Sequence, residues 1–394
     1  MNRKKNKKLA LICQHFYPEM ISTGIFMTQM ATGLSRQGWA IRVYAGQPVY
    51  RDASQNGEAM PEREIYEGVE IIRVPAWGNA RGSLLERALN AFTYLLMTAW
   101  LLFRDRKELR GVINSTNPPF LGLALCLVNL VAKLPFVTIV HDVYPDAAIC
   151  LGVLKKRSLV TRVWEQITRW ILNSSEGLIV IGRDMAQLVR QKLKQPESAK
   201  VTIIPNWADA ERVYPVARQE NEFRREQALD GRFVVQYSGR MGRTHNLEPL
   251  LEAAKGLQNE PVLFQFIGEG AKRAKLEAMS QEMGLQNVQF LPYQPFGKLA
   301  HVLSAGNLAV VCLESACTGV SVPSKTYGIM AAGRPILAFL EPESEIGQVI
   351  EETECGFVLP NPTGEEVATL IREVMSQPQR LRAMGCNGYD AFRQ

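Results

Sequence analysis

The chain has 394 residues, enough for two or three domains with a large core, and its 46% hydrophobic and 21% charged residues are an ordinary soluble composition. Seven cysteines (Cys13, Cys126, Cys150, Cys312, Cys317, Cys355, Cys386) form no CxxC pair and mostly sit in apolar runs, which excludes a disulfide or zinc framework and leads us to expect reduced, cytosolic thiols. The net charge of +6 divides unevenly: residues 1–205 hold 27 basic and 16 acidic residues, a net +11, and residues 206–394 hold 18 and 23, a net −5. Only the first half therefore suits an anionic partner. No nucleic-acid module or basic–aromatic array is present, so nucleic acid is set aside in favour of an anionic membrane surface or a polyanionic lipid acceptor. The basic start Arg3–Lys8 leads into a short strand-like run with no cleavage pattern behind it, and no signal peptide is expected.

Lys8–His15 (KLALICQH) reads as a buried first strand. Phe16-Tyr17-Pro18, a loop Glu19–Gly24, a helix Ile25–Gln37 and a second strand Ala40–Ala45 follow. This is β-α-β spacing, and its first loop opens at the carboxyl end of a strand, where open parallel sheets place ligands. Gly24 either admits a ligand there or only turns the chain. Residues 46–68, polar and turn-rich, read as a mobile loop before the strand Val69–Pro75. Ala88–Phe103 runs 16 residues without a charge, short of the ~20 that span a bilayer. It reads as a buried helix or, flanked by Arg81, Arg87, Arg104, Arg106 and Lys107, as a helix lying at a membrane interface.

Val112–Ser115 is the next strand, Phe120–Lys133 another apolar helix too short to span, and Phe136–Val140 a strand that delivers the chain to His141-Asp142-Val143-Tyr144-Pro145. A histidine at the carboxyl end of a buried strand, with Asp142 beside it, is placed for substrate contact; a structural histidine is the alternative. Leu159–Leu172 is an amphipathic helix with Trp164 and Trp170, followed by the strand Gly177–Ile181, the helix Asp184–Lys194 and the strand Val201–Pro205. The alternation predicts an α/β protein built on a doubly wound parallel sheet.

Arg212–Gly231 is charged and lacks apolar periodicity, marking the passage into a second unit, so domains are expected at 1–207 and 208–394. The second unit restarts with the strand Phe233–Ser238 and the turn Gly239-Arg240-Met241-Gly242-Arg243. The helix Leu247–Gly256, the strand Val262–Ile267, the turn Gly268-Glu269-Gly270 and a basic helix to Met283 come next, then the strand Val288–Leu291, the helix Lys298–Ser304 and the strand Asn307–Leu313. Two Rossmann-like halves of the same grammar make a central cleft between them the expected site. Arg240 places a guanidinium at a strand's carboxyl edge.

Ser321–Pro335 (SVPSKTYGIMAAGRP) has the strongest local chemistry. Pro323 stiffens the approach, Ser324 is an N-cap residue, a short helix runs Lys325–Ala332, Gly333 supplies a left-handed stop and Pro335 prevents continuation before the strand Ile336–Leu340. A helix start carrying a lysine can hold phosphate through free N–H groups, the dipole and a full charge. Gly328 inside so short a helix costs about 1 kcal/mol against alanine, which suggests a close approach to the backbone. An ordinary αβ connection with a surface lysine is the other reading.

Taken in order, F-Y-P-E, V-H-D-V-Y-P, I-I-P-N-W-A-D, Y-S-G-R-M-G-R, F-I-G-E-G, F-L-P-Y and V-P-S-K-T-Y-G-I-M-A-A-G-R-P resemble the family 4 glycosyltransferases, retaining enzymes of the two-domain GT-B fold, over nearly the whole chain. The V-P-S-K form, with H-D-V-Y-P upstream, is similar to the subset that builds bacterial surface polysaccharides and O-antigen units. The resemblance implies sugar transfer from a nucleotide diphosphate sugar, a co-substrate and not a cofactor, to a lipid-linked glycan acceptor. It implies a cytoplasmic enzyme peripherally bound at the inner face of the cell membrane. Arg240 matches the family's phosphate-binding arginine and His141 the histidine on the donor sugar, and Lys325 at the helix start joins them as the expected catalytic groups. Gly24, Arg243, His245, Gly268, Leu291, Ser324 and Gly328 complete the donor-binding set it implies, with backbone groups at Leu291-Pro292-Tyr293 on the base. No DxD is present, so no metal is expected.

The chain departs from the family at three places. The lysine five residues beyond the arginine is His245 here, with Arg243 or Lys325 as substitutes. The Glu-x7-Glu pair falls on Val320 and Gly328, and Glu314 is the nearest earlier acid. The chain stops at Gln394, where relatives usually continue into a helix returning to the first domain. A non-catalytic sugar-nucleotide-binding relative is the rival of another class. A sugar-nucleotide epimerase is a further one, but it needs acid/base residues that the chain does not place convincingly.

Overall fold

The computed structural model describes residues 7–19, 21–48, 60–78 and 82–394, and the chain divides into two compact units, Met1–Pro205 and Asn206–Gln394. The start of the basic segment, residues 49–59 of the expected mobile loop, and Arg81 lie outside the described residues.

In chain order the first unit holds β1 (Lys8–Cys13), α1 (Ser22–Arg36), β2 (Ile41–Ala45), β3 (Arg63–Tyr66), β4 (Val69–Arg73), α2 (Leu84–Asp105) and β5 (Leu109–Ser115). It continues with α3 (Leu121–Ala132), β6 (Phe136–Val140), α4 (Asp146–Cys150), α5 (Leu159–Ser174), β7 (Gly177–Val180), α6 (Arg183–Gln191) and β8 (Val201–Ile203). The sheet order is β3-β4-β2-β1-β5-β6-β7-β8. Only β3, paired with β4, is antiparallel among these ladders. Strands of such a sheet are covered on both faces and are mainly apolar, as β2 (IRVYA, all five buried) is apart from Arg42. One apolar layer joins the sheet to α2, α3 and α5 through Tyr94, Leu102, Leu125 and Ile171. The other joins it to α1 through Met27 and Ala31.

Helix ends are set by local chemistry. Ser83 and Glu86 form a capping box on α2, and Ser158 caps α5. Arg42, an inward cation on a strand, is satisfied by Glu70 at 2.7 Å, Glu108 at 2.9 Å and Asp105 at 3.2 Å.

The second unit contains α7 (Glu222–Glu226), β9 (Phe233–Ser238), α8 (Glu248–Gly256), β10 (Val262–Ile267), α9 (Arg273–Glu282), β11 (Val288–Leu291), α10 (Leu299–Leu303), β12 (Leu308–Cys312) and α11 (Lys325–Ala331). After these come β13 (Ile336–Phe339), α12 (Glu345–Thr353), β14 (Gly356–Val358), α13 (Gly364–Met375) and α14 (Pro378–Arg393). Its sheet, β11-β10-β9-β12-β13-β14, is parallel in every ladder. Both units are thus doubly wound α/β layers, the architecture of the GT-B fold.

Two expectations are corrected. The loop 46–68 contains β3, whose exposed and half-buried residues hide it as an edge strand in a polar stretch. The passage 212–231 contains α7, with Arg224 buried and donating to the carbonyls of Ala305 (2.5 Å) and Leu229 (2.7 Å). Five residues are too few to show a helical period. The expectation of free thiols holds for Cys13, Cys126, Cys312, Cys355 and Cys386.

Candidate functional site

In the second unit the strand order reverses between β9 and β12, and a reversal point at the carboxyl edge is where such sheets receive ligands. The loop after β9 carries Gly239 and Arg240, and the loop after β12 leads to Lys325. The topology therefore brings together two residues 85 positions apart in sequence.

The floor of this edge is woven backbone. The Gly239 N–H donates to the Ile267 carbonyl at 2.8 Å, the Met241 N–H to the Glu269 carbonyl at 2.8 Å, and the Gly268 N–H to the Leu291 carbonyl at 2.9 Å. Gly268 takes φ +129, and a Cβ there would lie 2.2 Å from the Gly239 carbonyl oxygen. This glycine is demanded by two turns in contact. The Leu291 carbonyl also accepts from Arg273 at 3.2 Å, so that group, expected to face a base, is committed to the fold.

Lys325 opens α11 and reaches back over β9. Its Nζ lies 3.5 Å from the centre of the Tyr237 ring, and a Cβ on Gly239 would meet it at 3.2 Å. The ammonium is enclosed and has no hydrogen-bond partner among the described residues. Burial pulls its pKa down to about 8, partly offset by Cys312. The ring face returns part of the lost hydration, about 2 kcal/mol when desolvated. An enclosed cation with no anion is costly to hold, and that cost is the site's most informative feature.

Tyr237, absent from the expected site residues, organises the group. Its hydroxyl donates to the Arg240 carbonyl at 2.5 Å, its face carries Lys325, and His245 meets it edge-on at 6.1 Å between centroids. It stands three residues before Arg240 on a buried strand, and only that spacing could have pointed to it. His245 accepts at Nδ1 from the Gly242 N–H at 2.9 Å, so a neutral ring carries its proton on Nε2. Burial, then the Lys325 charge, push its pKa down to about 3. The position where the family has lysine therefore offers a neutral donor, and Lys325 is the ammonium at this turn.

The nearby cations fall into two sets. Lys272 is spent on Glu248 (3.1 Å), Glu314 (3.8 Å) and the His245 carbonyl (2.9 Å). Arg273 is spent on Glu269 (2.7 Å) and Glu277 (2.8 Å). Arg240 and Arg243 are exposed and have no carboxylate partner among the described residues. The expected N-cap does not form. Ser324 lies in the helical region and makes no side-chain cap. Gly328 lies inside α11, where a Cβ would make an ordinary contact with Leu303 of α10 at 3.4 Å. Val320 is buried.

In the first unit the reversal lies between β1 and β5, with His141 one strand further at the end of β6. Its N–H donates to Thr116 Oγ1 at 3.0 Å, and its Nε2 is enclosed without a partner. Burial lowers its pKa to about 4, so the ring is neutral. Gly24 lies inside α1, not in the loop before it, and a Cβ there would stand 2.8 Å from the Glu19 Cβ. It makes room for Glu19, a buried carboxylate 3.3 Å from His15 Nδ1.

The two neutral imidazoles predict a pH dependence of stability. Unfolded, both titrate near 6.5; folded, only at about 4 and about 3. Above the unfolded value they add no slope. As the pH falls below it the unfolded chain takes up protons first, and stability declines toward the folded values. The urea midpoint should drop between about pH 7 and pH 5, and a His141→Gln/His245→Gln variant should show a flatter profile. Equal slopes would remove both rings as the source.

A family model described as Glycosyl transferase 4-like domain matches residues 23–207, and one described as Glycosyl transferases group 1 matches residues 218–391. WbjE of Pseudomonas aeruginosa, named as a glycosyltransferase, is 34% identical over 321 residues, 81% of this chain and 78% of that protein. WcaI of Escherichia coli K12, which carries the name of a colanic acid biosynthesis glycosyl transferase, is 27% identical over 86% of this chain and 84% of its own. Among solved structures, sucrose-phosphate synthase from Thermosynechococcus elongatus superposes with TM-score 0.78 at 19% identity, covering 98% of this chain and 94% of that one. Anabaena HepE in complex with UDP-glucose gives 0.71 at 13% identity, covering 98% and 95%. With its two doubly wound sheets and these relatives, the chain belongs to the family 4-type glycosyltransferases of the GT-B fold.

Proposed function

We propose that the protein is a retaining glycosyltransferase that moves a sugar from a nucleotide diphosphate sugar to a lipid-linked precursor of a surface polysaccharide, at the inner face of the cell membrane. The observation that carries this is the enclosed Lys325 ammonium without an anion, at a sheet-reversal edge beside the unpaired Arg240. A diphosphate is the class of ligand that completes such a site. HepE, of the same fold, binds UDP-glucose, and WcaI bears the name of a surface-polysaccharide enzyme.

In the proposed reaction the bond from the anomeric carbon to the β-phosphate oxygen breaks while the acceptor oxygen bonds the same face. The acceptor proton passes to the leaving phosphate. The protein supplies position and charge: Lys325 and Arg240 meet the negative charge growing on the phosphate, with no metal required, and enclosure makes the ammonium more effective. Neutral His141 suits a sugar hydroxyl, which needs a hydrogen bond and not a charge. The donor needs Lys325 protonated, so affinity for a nucleoside diphosphate should decline as the pH rises past about 8. Thermal-shift screening with UDP-, GDP- and dTDP-sugars identifies the donor. The anomeric proton coupling of the transferred sugar then tests the stereochemistry: the donor's configuration in the product supports the proposal, and the opposite one overturns it.

A further inference from the structure

We infer that the outer face of the layer α2, α3 and α5 is the surface by which the protein lies on an anionic lipid bilayer. This deepens the proposed function, on whose membrane setting it rests, by naming the face. Leu85, Leu89, Phe92, Leu96, Trp100 and Phe103 of α2 are all exposed, Leu85 by 80% and Phe92 by 59%. At 100° per residue they fall in one stripe about 80° wide, running nearly the whole of a 22-residue helix about 33 Å long. The opposite side, with Tyr94, Leu101 and Leu102, is already in the core. A helix apolar on both sides needs a second apolar medium.

The stripe continues onto the neighbouring helices. On α3, Leu130 and Val131 are 72% and 75% exposed, and on α5 Leu159 and Val160 are exposed. The second unit, by contrast, shows only Tyr214 and Tyr293 as exposed large apolar residues among those described. No helix is long and apolar enough to cross a membrane among the described residues, so the face suits lying on a bilayer and not threading it.

Charge selects a bilayer over another apolar partner. Each of the three helices returns the chain from the carboxyl to the amino edge of one parallel sheet, so α2 and α3 end on the same side. Arg106, Lys107 and Lys133 follow those ends, and Arg106 stacks 4.0 Å over the Phe103 ring. Lys155, Lys156 and Arg157, exposed, precede α5 at the other edge. Glu86, the acid on the first turn of α2, is held in the capping box. Apolar rings between basic ends match acyl chains beneath anionic headgroups.

The test is sedimentation of the full chain with phosphatidylglycerol vesicles and with phosphatidylcholine vesicles. The wild type should bind the anionic vesicles at least tenfold more tightly. Phe92→Glu/Trp100→Glu should abolish binding, and Lys107→Glu/Lys133→Glu should remove the lipid preference. Melting temperatures should stay unchanged because all four side chains are exposed. Hydrolysis of a nucleotide sugar in lipid-free solution should be equal in all three proteins, so failure of the transferase reading appears there and failure of the docking face appears in the vesicles. A wild type left in the supernatant, variants that bind as well as it does, or a dimer in solution that Phe92→Glu/Trp100→Glu dissociates would each overturn the inference.

Discussion

Lys325→Met should lower sugar transfer by about 10²–10³-fold while leaving the protein at least as stable as the wild type. The two halves of this result come from one fact. The ammonium is enclosed over Tyr237 with no anion beside it, so the folded enzyme without donor bears its desolvation unrewarded. A thioether of similar shape removes that penalty at the loss of one cation–π contact. The same exchange takes away a charge that gains strength as the leaving phosphate becomes more negative, and such losses fall on kcat. Arg240→Ala should lower turnover similarly with no change in melting temperature, since the residue is exposed. Steady-state kinetics with thermal melts decides the matter. Unchanged transfer in either variant would take that residue out of the mechanism, and an unfolded Lys325→Met protein would make the lysine structural.

Gly268→Ala is expected to be severely damaging at this edge. It must adopt φ +129, and its Cβ would stand 2.2 Å from the Gly239 carbonyl oxygen, a backbone atom that cannot swing aside. Conformational strain and overlap together should cost about 3 kcal/mol or more, lowering the melting temperature by about 6–12 °C in a unit of this size. Gly297→Ala, with nothing within 4 Å, is the control and should be nearly neutral. If both variants melt alike, the two turns are not in the contact described. Because Gly239 also borders the Lys325 ammonium, a Gly268→Ala protein that survives folding should bind donor weakly as well.

Much of this molecule was legible before any coordinates. Phe136–Val140, Phe233–Ser238, Val262–Ile267 and Val288–Leu291 begin and end where their sequence patterns say, because each is a short, mainly apolar run bounded by turn residues. The short helix from Lys325 and its left-handed stop at Gly333, φ +62, follow likewise from local chemistry. β3, α4 and α7 were not legible: an exposed edge strand and five-residue helices carry too little period to be seen.

Local sequence determined the alternation of strand and helix, the glycine turns, and the residue types able to hold a phosphate. It did not determine their company. The meeting of Arg240 with Lys325, the ring of Tyr237 beneath the ammonium, the neutral tautomer of His245, and the hydrogen bonds that the Leu291 carbonyl accepts from Gly268 and Arg273 were decided by tertiary structure. The reason is physical: the order of strands in a sheet is set by how crossovers pack, and a charge becomes unusual only when other segments take its water away.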